Sequence, residues 1–218
     1  MSSDLAQYYE RRAAEYDAVY AKPERQADLR QLEDWSAQLF AGRDVLEVAA
    51  GTGYWTRFIA QDARSVMATD YNRGPLEVAS GRDYPARNVQ FRQADAFALD
   101  GVDGRFDGAF VGFWWSHVRY EDLDRFLAGL CSRLEPGSLV AVVDNRYVEG
   151  SSSPVVHTDS RANTYQRRQL SDGTEHRVLK NFPSTEQLLA AADQFGSAGE
   201  VTLLDYFWTL TFTTRYGG

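Results

Sequence analysis

The sequence has 218 residues, of which 44% are hydrophobic and 25% charged, so it suits one globular domain with a sizeable core. Its formal net charge of −8 disfavours nucleic acid as a partner and favours a small molecule. Because Cys131 is the single cysteine, no internal disulfide can form, and no apolar run reaches membrane-spanning length, so we expect a cytoplasmic protein without a membrane partner.

The first part of the chain, up to about position 40, has a helical pattern that Pro23 divides into two pieces. Four residues at spacings of three and four share one face of the first piece: Tyr9, Arg12, Tyr16 and Tyr20. This face can pack its rings against the domain or cover a ligand as a lid. We predict a helical cap over residues 1–41 and a main domain over 42–218.

Residues 44–53 predict a buried strand that ends in a tight turn and leads into a helix near Tyr54. Glu47 lies in the strand, and the turn consists of small residues, including Ala49, Ala50, Gly51 and Gly53. Glycines let backbone N–H groups approach a ligand closely, and a carboxylate at the strand end can accept hydrogen bonds from it. The stretch therefore indicates a site for an adenosine-bearing cofactor.

Acidic residues also end the next two predicted strands. Asp70 ends a strand at 65–70, and Asp95 follows a strand at 88–94. The carboxyl ends of parallel strands meet along one crevice, where α/β sheets bind their ligands. We therefore expect Glu47, Asp70 and Asp95 to face one ligand, with Asp70 at a ribose and Asp95 at an adenine amine. An alternative role for Asp70 is a helix N-cap.

The fourth predicted strand, residues 105–113, is almost wholly apolar and fits the centre of the sheet. Two indoles and an imidazole follow it directly: Trp114, Trp115 and His117. At a strand mouth His117 can act as a general base, because its unperturbed pKa lies near neutrality, or it can be a helix-capping or core histidine. The two tryptophans can offer π faces to a cation.

After a fifth strand at 138–143, residues 146–183 look like a substrate-side insertion. Residues 147–163 are predicted to be a loop, and 165–170 with 176–182 predict a hairpin. Four cations of the hairpin can form a solvated face, which we favour, or hold an acidic substrate: Arg167, Arg168, Arg177 and Lys180.

The end of the chain has two further signals. A helix is predicted from 184 to about 195, since the preceding segment Pro183-Ser184 is a typical helix start. Residues 201–214 form one strongly β-prone run and predict the final strand.

Four motifs together resemble those of the class I S-adenosylmethionine-dependent methyltransferases: residues 45–56, 68–70, 93–97 and 134–138. Ala49 stands where the family usually has Gly, which a small side chain should tolerate. The resemblance implies an α/β, Rossmann-like, doubly wound sheet of seven strands, mostly parallel with an antiparallel last strand, and N-terminal helices forming a lid.

The resemblance also implies roles for individual residues. Glu47, Ala49 and Gly51 would lie along the methionine part of the cofactor, Asp70 at the ribose, and Asp95 with Ala96 at the adenine. The other cofactor-binding candidates are Tyr16, Ala50, Gly53, Tyr71, Phe97 and Phe113. The substrate candidates are Trp114, Trp115, Tyr20 and Arg146. The catalytic candidates are His117, with Tyr9 or Tyr16 orienting the acceptor.

The implied activity is methyl transfer from S-adenosylmethionine to an N or O atom of a small-molecule metabolite. One alternative is an NAD(P)-dependent Rossmann-fold reductase, because Asp70 lies 19 residues after Gly51, although Thr56 stands where the dinucleotide motif requires Gly. The other is a catalytically silent binding protein with the methyltransferase fold. A homodimer is compatible with either.

The pair Asp144-Asn145 resembles the metal site of catechol-type methyltransferases. That site also requires an acid just after strand four, and residues 112–117 contain none. We therefore predict no metal and assign the pair to a turn cap.

Overall fold

The computed structural model describes residues 20–85, 87–169 and 173–215. Tyr9, Arg12 and Tyr16, on the predicted lid face, lie outside the described residues. The second piece of the predicted cap forms a short 3-10 turn, Pro23–Arg25, followed by α1 (Gln26–Leu39). Pro23 suits the start of this turn, because a first helical position needs no backbone N–H.

Ten strands form two sheets in the described part of the chain. The large sheet contains β1 (Asp44–Val48), β2 (Ser65–Asp70), β3 (Val89–Gln93), β4 (Phe106–Gly112), β5 (Leu134–Asn145), β9 (Gly196–Leu203) and β10 (Phe207–Thr214), and the small sheet contains β6 (Val155–Thr158), β7 (Thr164–Gln169) and β8 (Glu175–Leu179). The large sheet has the order β3-β2-β1-β4-β5-β10-β9. Its first five strands are parallel and β10 is antiparallel to both neighbours, which confirms the predicted seven-stranded topology.

The helices cover both faces of the large sheet. They are α2 (Thr56–Asp62), α3 (Arg73–Ser80), α4 (Leu123–Cys131) and α5 (Thr185–Phe195), in addition to α1. Neighbouring strand residues point to opposite faces, so Val45 packs with Leu29 of α1 and Ile59 of α2, whereas Leu46 joins the core that contains Leu127 of α4 and Leu188 of α5. The central strands β1, β4 and β5 are therefore buried on both sides, as their largely apolar sequences require, whereas the edge strands β3 and β9 are mostly exposed.

Two strand predictions are wrong. The run over 201–214 contains two strands, β9 and β10, joined by a turn in which the Leu204 N–H donates to the Phe207 carbonyl at 2.9 Å. No Gly or Pro marks this turn, so composition alone could not show it. The predicted loop 147–163 contains β6, whose four residues are all exposed and therefore lack the alternating pattern of a half-buried strand.

Candidate active site

A cavity opens at the carboxyl edge of the large sheet, where β1, β2 and β4 end. Eight residues singled out from the sequence line it: Ala49, Gly51, Asp70, Tyr71, Ala96, Phe113, Trp114 and His117. Sequence reasoning missed the other four, Asn72, Pro75, Ala94 and Gly112. Three of these adjoin a predicted residue in the chain, so the ends of the strands were the signal that could have found them.

Asp70 connects two of the loops that form this cavity. Its Oδ2 accepts a hydrogen bond from the Gly51 N–H at 2.9 Å, and its Oδ1 accepts one from the Asn72 N–H at 2.8 Å. Asn72, rather than Asp70, occupies the N-cap position of α3. Each carboxylate oxygen has two lone pairs, so these bonds leave acceptor capacity for a ligand hydroxyl.

The turn after β1 depends on the left-handed region of the backbone. Gly51 and Gly53 have φ values of +58° and +76°, and a Cβ on Gly53 would meet the Tyr84 hydroxyl oxygen at 2.5 Å. Ala49 also has a positive φ, +57°, which costs a non-glycine residue about 1–2 kcal/mol. The substitution of Ala for the family's usual Gly is therefore tolerated at the expense of backbone strain.

Glu47 is fully enclosed near this turn, with 1% of its surface exposed. Burial is the main cause that raises the pKa of its carboxyl to about 8; the negative charge of Asp70 contributes to the rise, and the Thr56 side chain partly opposes it. Its Oε2 is buried and has no hydrogen-bond partner among the described residues. A buried acceptor without a donor is costly, and a cationic or hydrogen-bonding ligand group would satisfy it.

The remaining cofactor candidates flank the cavity. Asp95 accepts a hydrogen bond from the Phe97 N–H at 2.8 Å, which fixes the loop that carries Ala96 into the lining. Ala50 is buried, and its N–H donates to the Thr69 carbonyl, so it joins the turn to β2. We call Glu47, Ala49, Gly51, Asp70 and Asp95 together the cofactor edge.

His117 lies in a short 3-10 turn, Trp115–His117, on the opposite wall. Its Nδ1 is 2.7 Å from the Leu179 carbonyl oxygen, which can only accept, so Nδ1 carries the proton and Nε2 is the basic nitrogen. Burial holds the pKa of His117 well below 6.5, and the positive charge of Lys180 lowers it further. The imidazole is therefore neutral at physiological pH.

A buried ion pair supports the turn that carries His117. Lys180 donates from Nζ to the Asp144 carboxylate at 2.9 Å and to the Ser116 hydroxyl at 2.6 Å, and the Ser116 N–H donates to Asp144 Oδ2 at 2.9 Å. Burial opposes ionisation of Asp144, but the Lys180 charge together with the hydrogen bonds from Lys180 and Ser116 outweighs it, so the pKa of Asp144 lies below its usual range. The sequence favoured a solvated face for Lys180, and that prediction is wrong, because Lys180 is buried. Ser116, His117, Asp144 and Lys180 form the acceptor side of the site.

Other predicted residues lie around the cavity without lining it. Tyr20 is buried and stacks on Tyr54, with ring centroids 3.6 Å apart. Trp115 packs edge-on against Trp208 in the core. Arg146 donates to the Leu204 carbonyl in the turn between β9 and β10.

The chain resembles known proteins over this site and beyond it. Residues 45–137 match a family model described as a methyltransferase domain. The structure of DhpI in complex with SAH is 31% identical in sequence, with a TM-score of 0.78 and 99% of each chain covered. The chain belongs to the S-adenosylmethionine-dependent methyltransferases. A DhpI-SAM-HEP complex matches this methyltransferase similarly, at 31% identity and a TM-score of 0.76, over 97% of this chain and 98% of DhpI.

Curated relatives match a shorter part of this methyltransferase. A demethylmenaquinone methyltransferase of Clavibacter sepedonicus is 32% identical over 104 residues, 48% of this chain and 42% of the relative. The O-methyltransferase cnsE of Penicillium expansum is 33% identical over 140 residues, 56% of this chain and 50% of the relative. The chain thus spans about half the length of the curated relatives it matches.

S-adenosylmethionine is the cofactor of this family, and the cofactor edge fits it. The cavity brings the Asp70 carboxylate and the glycine turn together, and the unpartnered Glu47 Oε2 suits a ligand that carries an ammonium group.

Within the described residues, no helix combines the length and apolar character needed to span a membrane.

Proposed function

We propose that this protein transfers a methyl group from S-adenosylmethionine to an oxygen or nitrogen atom of a small-molecule metabolite. The observation that supports the proposal is that one cavity is lined both by Gly51 and Asp70 of the cofactor edge and by a neutral histidine, His117. A nicotinamide-dependent reductase would leave the histidine and the enclosed Glu47 without a role.

The cofactor edge would bind the three parts of the cofactor. Glu47, Ala49 and Gly51 are assigned to the amino-acid part, Asp70 to the ribose, and Asp95 with Ala96 to the adenine. When bound, the cofactor supplies a methyl group on a positively charged sulfur, which makes the carbon open to in-line displacement. Phe113 and Trp114, on the wall near His117, would exclude water from that carbon.

His117 would remove the proton of the acceptor. The Leu179 carbonyl fixes Nδ1 as the donor, so Nε2 is the nitrogen that can take a proton from a hydroxyl or ammonium group. Because the pKa of His117 is lowered, the ring is in its basic, neutral form over the whole physiological range. His117 would thus activate the nucleophilic atom of the acceptor inside the cavity.

The insertion at 146–183, which contains the small sheet, is assigned to substrate recognition, and residues 1–41 to a cap over the site. Leu179 and Lys180 connect this insertion directly to the turn that carries His117. An acceptor bound between them would lie beside the base.

Isothermal titration with S-adenosylhomocysteine and with NADPH tests the cofactor, and transfer of label from methyl-labelled S-adenosylmethionine to a panel of small hydroxy and amino compounds tests the reaction. We expect binding of S-adenosylhomocysteine alone and label transfer to a subset of the panel. Binding of NADPH instead would support the reductase, and tight S-adenosylhomocysteine binding without transfer to any compound would support the silent binding protein.

A further inference from the structure

Four cationic side chains gather beside the acceptor side of the site: Lys22, Arg25, Arg168 and Lys180. Alternation along β7 places Gln166 and Arg168 on its inner face, whereas Arg167 is exposed and pairs with Glu175 at 3.8 Å. Lys180 follows β8 and is buried. We call these four residues the cationic group.

Hydrogen bonds to one short loop bring three members of this group together. Lys22 donates from Nζ to the Ser151 carbonyl at 2.7 Å, and Arg25 donates from Nη2 to the Ser151 hydroxyl at 3.0 Å. Gln166 donates to the carbonyl of Ser153 in the same loop and accepts from Arg168 Nη2 at 2.9 Å. The turn before α1, the loop after β5 and the inner face of β7 therefore meet at one place.

Arg168 lies within electrostatic range of the rest of the group and of the base. Burial is the main cause of the lowered pKa values of Lys22, Arg25, His117 and Lys180, and the positive charge of Arg168 lowers all four further. The cationic group and His117 therefore belong to one electrostatic environment.

Carboxylates balance the positive charge of this group only in part. Asp144 neutralises Lys180, but Lys22, Arg25 and Arg168 form no ion pair within the described parts of the chain. The charge of Glu24 acts on Lys22 and Arg25, and that of Asp28 acts on Arg25. Both acids accept hydrogen bonds elsewhere: Glu24 is exposed and accepts from the Ser151 hydroxyl, and Asp28 accepts from the Tyr206 N–H.

Arg168 also has hydrogen-bonding capacity that the protein does not use. Its Nε is buried and has no hydrogen-bond partner among the residues that the structure describes. In a chain with a net charge of −8, a group of cations that carboxylates balance only in part, with a buried donor unused among those residues, is unexpected unless an anion binds there.

We propose that the cationic group is a subsite for an oxyanion carried by the methyl acceptor, a carboxylate or a phosphate-type group, with Arg168 as its principal ligand. This inference rests on the proposed methyl transfer, since it assigns the subsite to the acceptor of that reaction. A guanidinium binds two oxygens of either anion side by side, which would orient the acceptor as well as hold it. Because β8 also contacts His117 through Leu179, an acceptor held by Arg168 would have its nucleophile directed towards the base.

Direct anion binding is the first test, and it does not depend on turnover. Inorganic phosphate and acetate are the probes, and the measurement is the shift in melting temperature of the full chain at constant ionic strength. We expect one of them to stabilise the wild type but not Arg168→Gln, and the one that does so distinguishes a phosphate-type group from a carboxylate. Arg167→Gln is the matched control, because its side chain is the outward-facing neighbour, and it should behave like the wild type. Equal shifts in the wild type and Arg168→Gln would overturn the subsite.

Kinetics provide the second test, with acceptors compared in pairs of an anion and its neutral ester or amide. We expect the anionic member to be the better acceptor, and Arg168→Gln to raise its KM by about 10- to 100-fold with a small change in kcat. Arg168→Lys, which keeps the charge, should recover part of this loss and shows whether the Gln variant simply misfolds. Neutral acceptors that react equally well would contradict the proposal.

S-adenosylhomocysteine titration separates this inference from the proposed function. Its affinity should be the same in the wild type and Arg168→Gln. If Arg168→Gln weakened S-adenosylhomocysteine binding by the same factor by which it raises the KM of the acceptor, the cationic group would bind the cofactor's own carboxylate. That result would overturn the acceptor subsite. If S-adenosylhomocysteine fails to bind the wild type while phosphate or acetate still binds through Arg168, the methyltransferase function is wrong and the acceptor assignment falls with it.

Discussion

The cofactor edge and the acceptor side each contribute residues to the same cavity, Ala49, Gly51 and Asp70 from the first and His117 from the second, but they are constructed from different kinds of contact. At the cofactor edge the hydrogen bonds join residues that are close in the chain: Asp70 to Asn72 and Asp95 to Phe97, two residues apart, and Asp70 to Gly51, 19 apart. On the acceptor side, Lys180 bonds to Asp144 and Ser116 over 36 and 64 residues, and His117 to Leu179 over 62. With the proposed roles, local structure would hold a common cofactor, whereas the acceptor side depends on how distant segments pack.

Replacement of His117 by Ala should have the largest effect, and it should separate the two regions. Loss of a general base lowers kcat by about 10²- to 10⁴-fold, while the affinity for S-adenosylhomocysteine should stay within about twofold. Wild-type kcat should fall with acidity only well below pH 6.5, because the pKa of His117 is lowered by burial. Steady-state kinetics across pH, together with titration calorimetry, measure both quantities. A parallel loss of kcat and cofactor affinity would show that the two regions are not independent.

Lys180→Met should destabilise the fold by about 3–5 kcal/mol, because it leaves the Asp144 carboxylate buried without its cation. The double variant Lys180→Met, Asp144→Leu should recover most of this loss, since neither charge then remains. Arg177→Met, on the exposed face of β8, which directly precedes Lys180, should change stability by less than about 0.5 kcal/mol. Urea unfolding measures all three. Equal effects of the Lys180 and Arg177 changes would contradict the buried ion pair.

The sequence placed part of the cofactor edge for a physical reason: Asp70 lines the cavity, whereas Glu47 and Asp95 do not line it, and their roles stay predictions. Acids at the ends of successive strands converge in any parallel sheet, so Glu47, Asp70 and Asp95 could be placed from strand positions alone. Burial of Lys180 could not be predicted, because alternation in a hairpin separates two faces but does not say which one packs against the domain. Ser116, which decides this by bonding to Lys180, lies 64 residues away.

Glu47→Gln should have opposite effects on protein stability and on cofactor affinity. The pKa of Glu47 is about 8 in the folded protein and 4.5 in the unfolded chain, so the folded state binds its proton more tightly. The stability that this proton provides is present below pH 4.5 and is lost as pH rises through 8.

The variant should therefore be more stable than the wild type at pH 9, by up to about 5 kcal/mol, and should lose this pH dependence. Its affinity for S-adenosylhomocysteine should fall, because Gln cannot ionise to pair with the ligand's ammonium group. Exposed Glu77→Gln is the control and should change neither property. Urea unfolding at pH 6 and pH 9 measures the stability of both variants. Equal pH dependence of Glu47→Gln and Glu77→Gln would contradict the raised pKa of Glu47.

The smallest expected effect concerns the backbone of the turn after β1, and its sign is diagnostic. Ala49 has a φ of +57°, where Gly carries no steric penalty, so Ala49→Gly relieves about 1–2 kcal/mol of strain. The more flexible unfolded chain of the Gly variant offsets about 0.4–1 kcal/mol of this gain, which leaves a net stabilisation of about 0.5 kcal/mol.

Ala50→Gly is the matched control, because Ala50 is the next residue in the chain and has no positive φ. It carries the same unfolded-state cost without any relief of strain and loses a buried methyl group, so it should destabilise the protein by about 1 kcal/mol. Urea unfolding of the two variants should thus give changes of opposite sign. Destabilisation by both would mean that Ala49 is not strained, and that the cofactor edge accepts Ala at this position because its backbone differs from that of a glycine turn.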